Sequence, residues 1–344
     1  MKTFYSPAHL KHAPEKEFEA GRLSPAVEVP ARAESVKAEI ERRGIGPVLA
    51  PEEFPLNAAL RVHDAGLVTF LGEASALWRE KYGEDAPPAL PSAWPARGLR
   101  NRFEGDVESR LGTYAFDTGT PILKGTWDAS RAAMNCALSA AAEVKAGAPA
   151  AFALSRPPGH HAAGDVFGGY CYLNNIAIAA QWLVDQGLKT AILDVDYHHG
   201  NGTQSIFYRR RDVLFCSLHG DPSFAYPHFL GFGDETGEGT GEGANLNLPL
   251  PMYTGWEGYG PALDRAAQRI EAFGPDVLLV SLGLDTFEAD PISLFKLKRD
   301  DYLRMGERIA ALKTPTVFVF EGGYNLDALA RIAVNVLEGF EARA

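Results

Sequence analysis

The sequence predicts an α/β fold, a mainly parallel sheet flanked by helices on both faces. Three observations lead there. Short apolar runs without polar alternation recur between residues 150 and 320, the pattern of strands covered on both faces. Helical patterns separate them, so strand and helix alternate along the chain. Gly187 and Gly274 fall just past two of the helical patterns, where a helix C-cap glycine belongs.

Taken in order, residues 65–82 and the alanine-rich stretch 125–147 read as helices. Strand-like runs cover 150–154, 190–193, 213–218, 277–282 and 316–320, with helical patterns at 174–186, 258–273, 299–312 and 326–338. No internal repeat or linker interrupts them, so residues 1–344 are expected to form one domain with an insertion at about 84–124. That insertion carries Pro87, Pro88, Pro91, Pro95 and Pro121 with little periodicity. Structureless stretches of this length are uncommon in compact domains and serve function or an interface, or stay mobile at the surface. The glycine-rich stretch 231–243 holds Asp234, Glu235, Glu238 and Glu242. Its carboxylates would repel phosphate, which leaves a flexible site rim.

Composition excludes several classes. The 344 residues are 46% hydrophobic, 22% charged and 10% aromatic, with a mean hydropathy of -0.13. Disordered, collagenous and coiled-coil chains are built differently. The formal charge of -11 and the lack of a basic stripe argue against nucleic acid and anionic membranes as partners. The three cysteines, Cys136, Cys171 and Cys216, form no Cys-x-x-Cys pair, which argues against a disulfide framework or cysteine zinc knuckle. With no apolar leader and no apolar run that could span a bilayer, the cytoplasm is the expected location.

The chemistry concentrates in a few strand-end segments. Five of the nine histidines lie between residues 156 and 219, four of them in two adjacent pairs that follow strand-like runs. In open α/β sheets ligands bind at the carboxyl ends of strands. The run Ile192-Leu193-Asp194-Val195-Asp196-Tyr197-His198-His199 ends a strand in Asp-x-Asp-x-His. Were extended geometry to persist, Asp194, Asp196 and His198 would project to one side. Two carboxylates and an imidazole at a strand end call for a cation. Asp285, after the run 280–284, would complete a three-ligand set with Asp196 and His198, open to water and substrate. Taken alone, Asp285 could equally cap the next helix. Oxygen-rich ligation admits iron or manganese as well as zinc. In Arg156-Pro157-Pro158-Gly159-His160-His161, the histidines could serve as general base and acid or as a metal clamp. In Glu321-Gly322-Gly323-Tyr324, the glycines could aim a phenol into a pocket, or the tyrosine could simply pack at a helix start.

Together these segments are recognisable. The Pro157 to His161 motif, Gly168-Gly169-Tyr170-Cys171-Tyr172, the Asp194 to Asn201 motif, Ser217-Leu218-His219, Asp285 with Asp290-Pro291, and Gly322-Gly323-Tyr324 resemble the zinc-dependent histone deacetylase superfamily. Within it the chain looks most like the bacterial acetylpolyamine amidohydrolases, over nearly its whole length. The resemblance implies an arginase-deacetylase fold and a zinc-dependent amidohydrolase that removes acetyl groups from polyamines or diamines. It makes Asp196, His198 and Asp285 the zinc ligands, with iron or another divalent metal as a substitute. It makes His161 the general base and then acid, oriented by Asn201, and His160 its electrostatic partner, paired with Asp194. Tyr324 would donate to the oxyanion and the Gly169 carbonyl would accept the amide N–H. Tyr170 and Tyr226 would wall the tunnel. A structural potassium ion would be held by Asp194, Ser217 and the carbonyls of Asp196, His198 and Leu218.

The insertion at 84–124 matches a loop that, in that family, forms a homodimer interface and narrows the entrance. Glu17, Glu108 and Asp117 are the acidic residues expected near the mouth, where they would attract ammonium groups. Gly119 departs from the family pattern, standing where well-known members carry a glutamate, and this argues against the longer polyamines and leaves room for short acylated amines, including diamines. The alternatives are an acetyl-lysine deacetylase acting on peptides and a hydrolase of other small acyl amides.

Overall fold

The computed structural model describes residues 1–19, 21–102 and 105–343. Its elements run β1 (Lys2–Phe4), β2 (Lys16–Glu19), β3 (Arg22–Pro25), α1 (Ala31–Arg43), β4 (Val48–Leu49), α2 (Ala65–Tyr82) and α3 (Val107–Tyr114). Next come α4 (Thr126–Lys145), β5 (Ala150–Ala153), α5 (Asn175–Asp185), β6 (Thr190–Asp194), α6 (Asn201–Phe207), β7 (Val213–Gly220) and β8 (Asn245–Leu250). The chain ends with α7 (Trp256–Phe273), β9 (Val277–Leu282), α8 (Asp301–Ala310), β10 (Thr316–Phe320) and α9 (Leu326–Glu341).

Eight strands form one sheet in the order β4-β1-β5-β10-β9-β6-β7-β8. Every neighbouring pair is parallel, so all eight strands point their carboxyl ends at one rim. Side chains alternate faces along each strand, and both faces are covered. Leu278, Val280 and Leu282 of β9 join one buried cluster with α1, α7, α8 and α9. Val277 and Leu279 join another with α4 and α5. That is why these runs show no polar alternation. A separate antiparallel hairpin, β2 with β3, stands off the sheet.

The structure departs from the sequence expectations in four places. Strand β6 ends at Asp194, so extended geometry does not carry on to His198. The next six residues leave the sheet as buried irregular chain before α6. The sheet also gains β1, β4 and β8, short or partly polar strands that a search for apolar runs passes over. Helix α1 is a further addition: it begins just after Pro30, and its mostly polar sequence buries only Arg32, Ala33, Val36 and Ile40. Finally, the 84–124 stretch is not without structure. Asp106 caps α3 by accepting from the N–H groups of Glu108 and Ser109, as N-cap carboxylates do, and Ala89 bridges to Ile122. No helix among the described residues is long and apolar enough to cross a membrane.

Candidate active site

The central strands β10, β9 and β6 lie side by side and deliver their polar termini to one point. Asp196 and His198 come from the chain after β6, and Asp285 from the chain after β9. All three are buried, and one ligand atom from each lies within 4.8 Å of the others. The framework that holds them is largely main chain. Asp196 accepts from the N–H of Gly322 at 2.9 Å and from that of His198 at 2.9 Å. Asp285 accepts from the Tyr197 N–H at 2.8 Å, and its other oxygen lies 2.9 Å from His198 Nδ1. Two glycines make the approach possible. A Cβ on Gly283 would stand 1.9 Å from Asp196 Oδ2, and one on Gly322 would stand 2.5 and 2.6 Å from Asp196 and Asp285 oxygens.

Asp194 is the last residue of β6, and its side chain does not join the three-residue group. Its Oδ2 lies 3.0 Å from His160 Nδ1, and its Oδ1 accepts from the Asp196 N–H at 3.2 Å. Ser217 sits beside it in register on β7, with its hydroxyl 2.7 Å from His219 Nδ1, and Leu218 is buried in the same strand. Three fully buried carboxylates, Asp194, Asp196 and Asp285, concentrate negative charge in a dry place, which is costly without compensating cations. The ionisation of the neighbouring groups reports this. Burial opposes a charged His160, yet Asp194 and Asp196 hold its pKa at about 10. Burial likewise opposes a charged His198, which Asp196 and Asp285 hold at about 10. Burial and the Asp196 charge push Asp285 up to about 7. One imidazole nitrogen and two carboxylates converging on a cation-seeking point form a donor set for one divalent metal ion. Asp196, His198 and Asp285 fit that group.

His161 Nδ1 lies 2.6 Å from Asn201 Oδ1. An amide oxygen only accepts, so Nδ1 carries the hydrogen and Nε2 keeps its lone pair. Burial and the charges of His160 and His198 keep His161 well below the usual histidine pKa, so it is neutral near pH 7. Tyr324 donates its backbone N–H to Asp290 Oδ2 at 2.7 Å, and its ring lies over the Arg32 guanidinium at 4.6 Å. Burial raises its phenol well above the ordinary value, which keeps it a hydrogen-bond donor.

A cavity of about 310 Å³ opens beside these groups, with His161, His198 and Tyr324 in its lining. Gly169, Tyr170 and Tyr226 form its walls, and Glu17, Asp117 and Gly119 line it as well. Tyr226 meets His161 edge-on at 5.1 Å, and Tyr170 meets Tyr324 at 5.7 Å. Glu17 is only 5% exposed although it stands on the outlying β2. Glu108 is not among the cavity's lining residues. It stands in the exposed first turn of α3, where Lys81 pairs with it at 3.3 Å, and this chain does not bring it to the mouth.

Several supporting residues carry no signal in the sequence pattern. Arg32, fully buried, donates to the carbonyl of Gly323 at 2.6 Å and to that of Glu321 at 2.5 Å. It thereby grips the turn that carries Tyr324. Glu28 joins Arg32 and Arg156, accepting at 2.8 Å from each. Glu321 Oε2 accepts the N–H groups of Gly159 at 2.6 Å and His160 at 3.2 Å, tying the end of β10 to the paired histidines. Arg32 and Glu28 could have drawn notice only as charges i and i+4 apart, a pattern that usually marks a solvated helix face.

Comparisons with known proteins agree with this geometry. Residues 26–340 match the model of the histone deacetylase domain. The chain is 50% identical over 350 residues to acetylpolyamine amidohydrolase 1 of Pseudomonas aeruginosa, covering 100% of both sequences. It is 46% identical over 342 residues to the acetylpolyamine amidohydrolase of Mycoplana ramosa, covering 98% of this chain and 99% of the relative. The crystal structure of acetylpolyamine aminohydrolase from Burkholderia pseudomallei superposes with a TM-score of 0.94 at 40% identity, over 99% of each chain. With the domain matched over nearly its full length and the buried Asp/His/Asp group at the sheet's rim, the chain belongs to the histone deacetylase family.

Proposed function

We propose that this protein is a zinc-dependent amidohydrolase that cleaves acetyl groups from small acetylated polyamines and diamines, releasing acetate and the free amine. The observation that carries the reading is one cavity lined together by His198 of the metal group, the neutral His161 and the phenol of Tyr324. Amide hydrolysis needs a polarised carbonyl, an activated water, a donor for the oxyanion and a proton for the leaving amine. Asp196, His198 and Asp285 would hold a zinc ion, which would supply Lewis-acid polarisation and a water of lowered pKa.

The chain's own groups do the rest. His161 Nε2 takes the water's proton and later passes it to the departing nitrogen. His160, held charged against Asp194, favours a neutral His161 at the start. The Tyr324 hydroxyl donates to the oxygen that becomes anionic as the carbonyl carbon turns tetrahedral. The Gly169 carbonyl accepts the substrate's amide N–H, and Tyr170 and Tyr226 exclude water along the aliphatic chain. Glu17 draws the ammonium end of the substrate toward the mouth. Asp194 and Ser217, with the carbonyls of Asp196, His198 and Leu218, would hold a potassium ion, whose charge would offset the remaining buried negative charge. The 84–124 insertion, with α3 at its centre, forms the contact of a homodimer.

The test is kcat/KM for zinc-loaded protein on acetylputrescine, acetylcadaverine, acetylspermidine and an acetyl-lysine peptide side by side. Preference for the small acetylated amines supports the reading. Preference for the peptide replaces it with a protein deacetylase.

A further inference from the structure

We infer that Asp117 is a positioning residue that ties the two aromatic walls of the cavity together and so selects substrates by shape rather than by charge. The inference rests on the deacetylase reading above.

Asp117 lines the cavity, and an acid there invites a role as a cation trap. Its hydrogen bonds speak against that. Oδ2 accepts the Gly169 N–H at 2.7 Å and the Tyr226 hydroxyl at 2.8 Å. Oδ1 accepts the Gly119 N–H at 3.1 Å and the Thr120 hydroxyl at 3.0 Å. A carboxylate offers about four acceptor sites, and four donors from the protein take them up. An arriving ammonium would have to displace one. The two Oδ2 bonds reach segments 52 and 109 residues away, far beyond the needs of a local turn.

The segment being held is a strained one. Gly169 and Tyr170 are consecutive residues at φ 58° and 65°, a region that side chains other than glycine rarely adopt. Such conformations persist where their surroundings over-determine them. Here the Gly169 N–H is fixed by Asp117, and the Tyr170 N–H is fixed by the Thr120 hydroxyl at 2.9 Å, itself bonded to Asp117. The fit on the far side is close, since a Cβ on Gly169 would stand 2.3 Å from His161 Cδ2. Across the cavity the same carboxylate holds the Tyr226 hydroxyl while its ring meets His161. One side chain therefore sets the separation of Tyr170 from Tyr226 and the place of the Gly169 carbonyl.

Asp117→Asn keeps the shape but turns one of its two acceptor oxygens into a donor, so either the pair of bonds from Gly169 and Tyr226 or the pair from Gly119 and Thr120 loses its acceptor, and either loss frees one side of the clamp. The experiment measures kcat and KM of the zinc-loaded protein on acetylputrescine, and for N-butylacetamide, an uncharged amide of the same reach, its inhibition constant against it. Both constants should rise by the same factor of about tenfold, the scale of a lost charge-assisted hydrogen bond, with kcat little changed. A rise confined to the cationic substrate would mean that Asp117 acts by charge, and no rise in either constant would mean that it holds nothing. Both results overturn the inference. Should Asp117→Asn fail to fold in a thermal melt, Thr120→Val and Tyr226→Phe each release one anchor, and the same paired rise supports or its absence overturns the inference. Wild-type protein that hydrolyses no acetylated amine overturns the deacetylase reading, and the inference falls with it.

Discussion

At the inner end of the cavity the metal group and Tyr324 stand on the chain directly after strands of the central sheet. Asp196 and His198 come after β6, Asp285 after β9, and Tyr324 after β10. At the mouth the supports are of another kind: Glu17 on a detached hairpin, and Asp117 and Gly119 on the chain between α3 and α4, while Glu108 on α3 stands away from it. The inner groups are buried and cross-braced by main-chain donors. Glu108 is exposed and pairs with Lys81. The contrast teaches a division of labour, in which the sheet fixes reaction chemistry and peripheral segments fix what may enter.

Substitutions can break or sharpen that contrast. The largest effect is expected at the floor: Asp285→Ala should lower bound divalent metal from about one ion per chain to a trace, with hydrolysis at background. Metal analysis and a rate assay check this together, and full metal content would refute the assignment. His161→Ala should cost roughly 10²–10⁴-fold in kcat. Its pH behaviour carries a sign. Because His161 is held well below its usual pKa of 6.5, its neutral form persists as pH falls, and activity is lost only as pH drops through that lowered value. The acid limb of kcat/KM in the wild type should therefore lie below 6.5; a limb at or above it would count against His161 as the base.

Tyr324→Phe should lower kcat by roughly 10²–10³-fold, the scale of one oxyanion donor, with the fold intact by circular dichroism. Near-normal turnover would remove the phenol from the chemistry. At the mouth, Glu17→Gln should weaken kcat/KM for acetylputrescine by about tenfold through lost electrostatic attraction while sparing uncharged amides; an equal loss on both would show a packing role. The smallest effect belongs to Glu108→Gln. An exposed pair contributes little, so kcat/KM should stay within about a factor of two, and a larger loss would show that Glu108 reaches a mouth in the assembled protein.

The same division decided how much of the molecule is legible in the residue code. The apolar runs at 277–282 and 316–320 announce buried strands because each residue faces one of two covered layers. Asp196, His198 and Asp285 are legible because each comes within a few residues of such a run, and three metal-loving side chains at strand ends point to one rim. Local periodicity is enough to reveal features of this kind. Arg32 lies beyond its reach, and so do the roles of Glu321 and Asp290 although both stand within the strand-end motifs, because each acts through main-chain groups of a distant segment: the carbonyls of Glu321 and Gly323, the N–H groups of Gly159 and His160, and the N–H of Tyr324. A main-chain partner leaves no mark in the residue code.

The sequence by itself determined the alternation of strand and helix, the rim that carries the chemistry, and the residue types gathered there. Only the tertiary structure decided that β6 stops at Asp194, so that Asp196 and His198 reach the metal group from irregular chain and not from an extended strand. Only the tertiary structure turned Asp117 inward to its four donors and left Glu108 with Lys81. The physical reason is the same in each case. Burial and periodicity are properties of a stretch of chain, whereas the direction of a carboxylate depends on which donors the folded chain brings within about 3 Å of it.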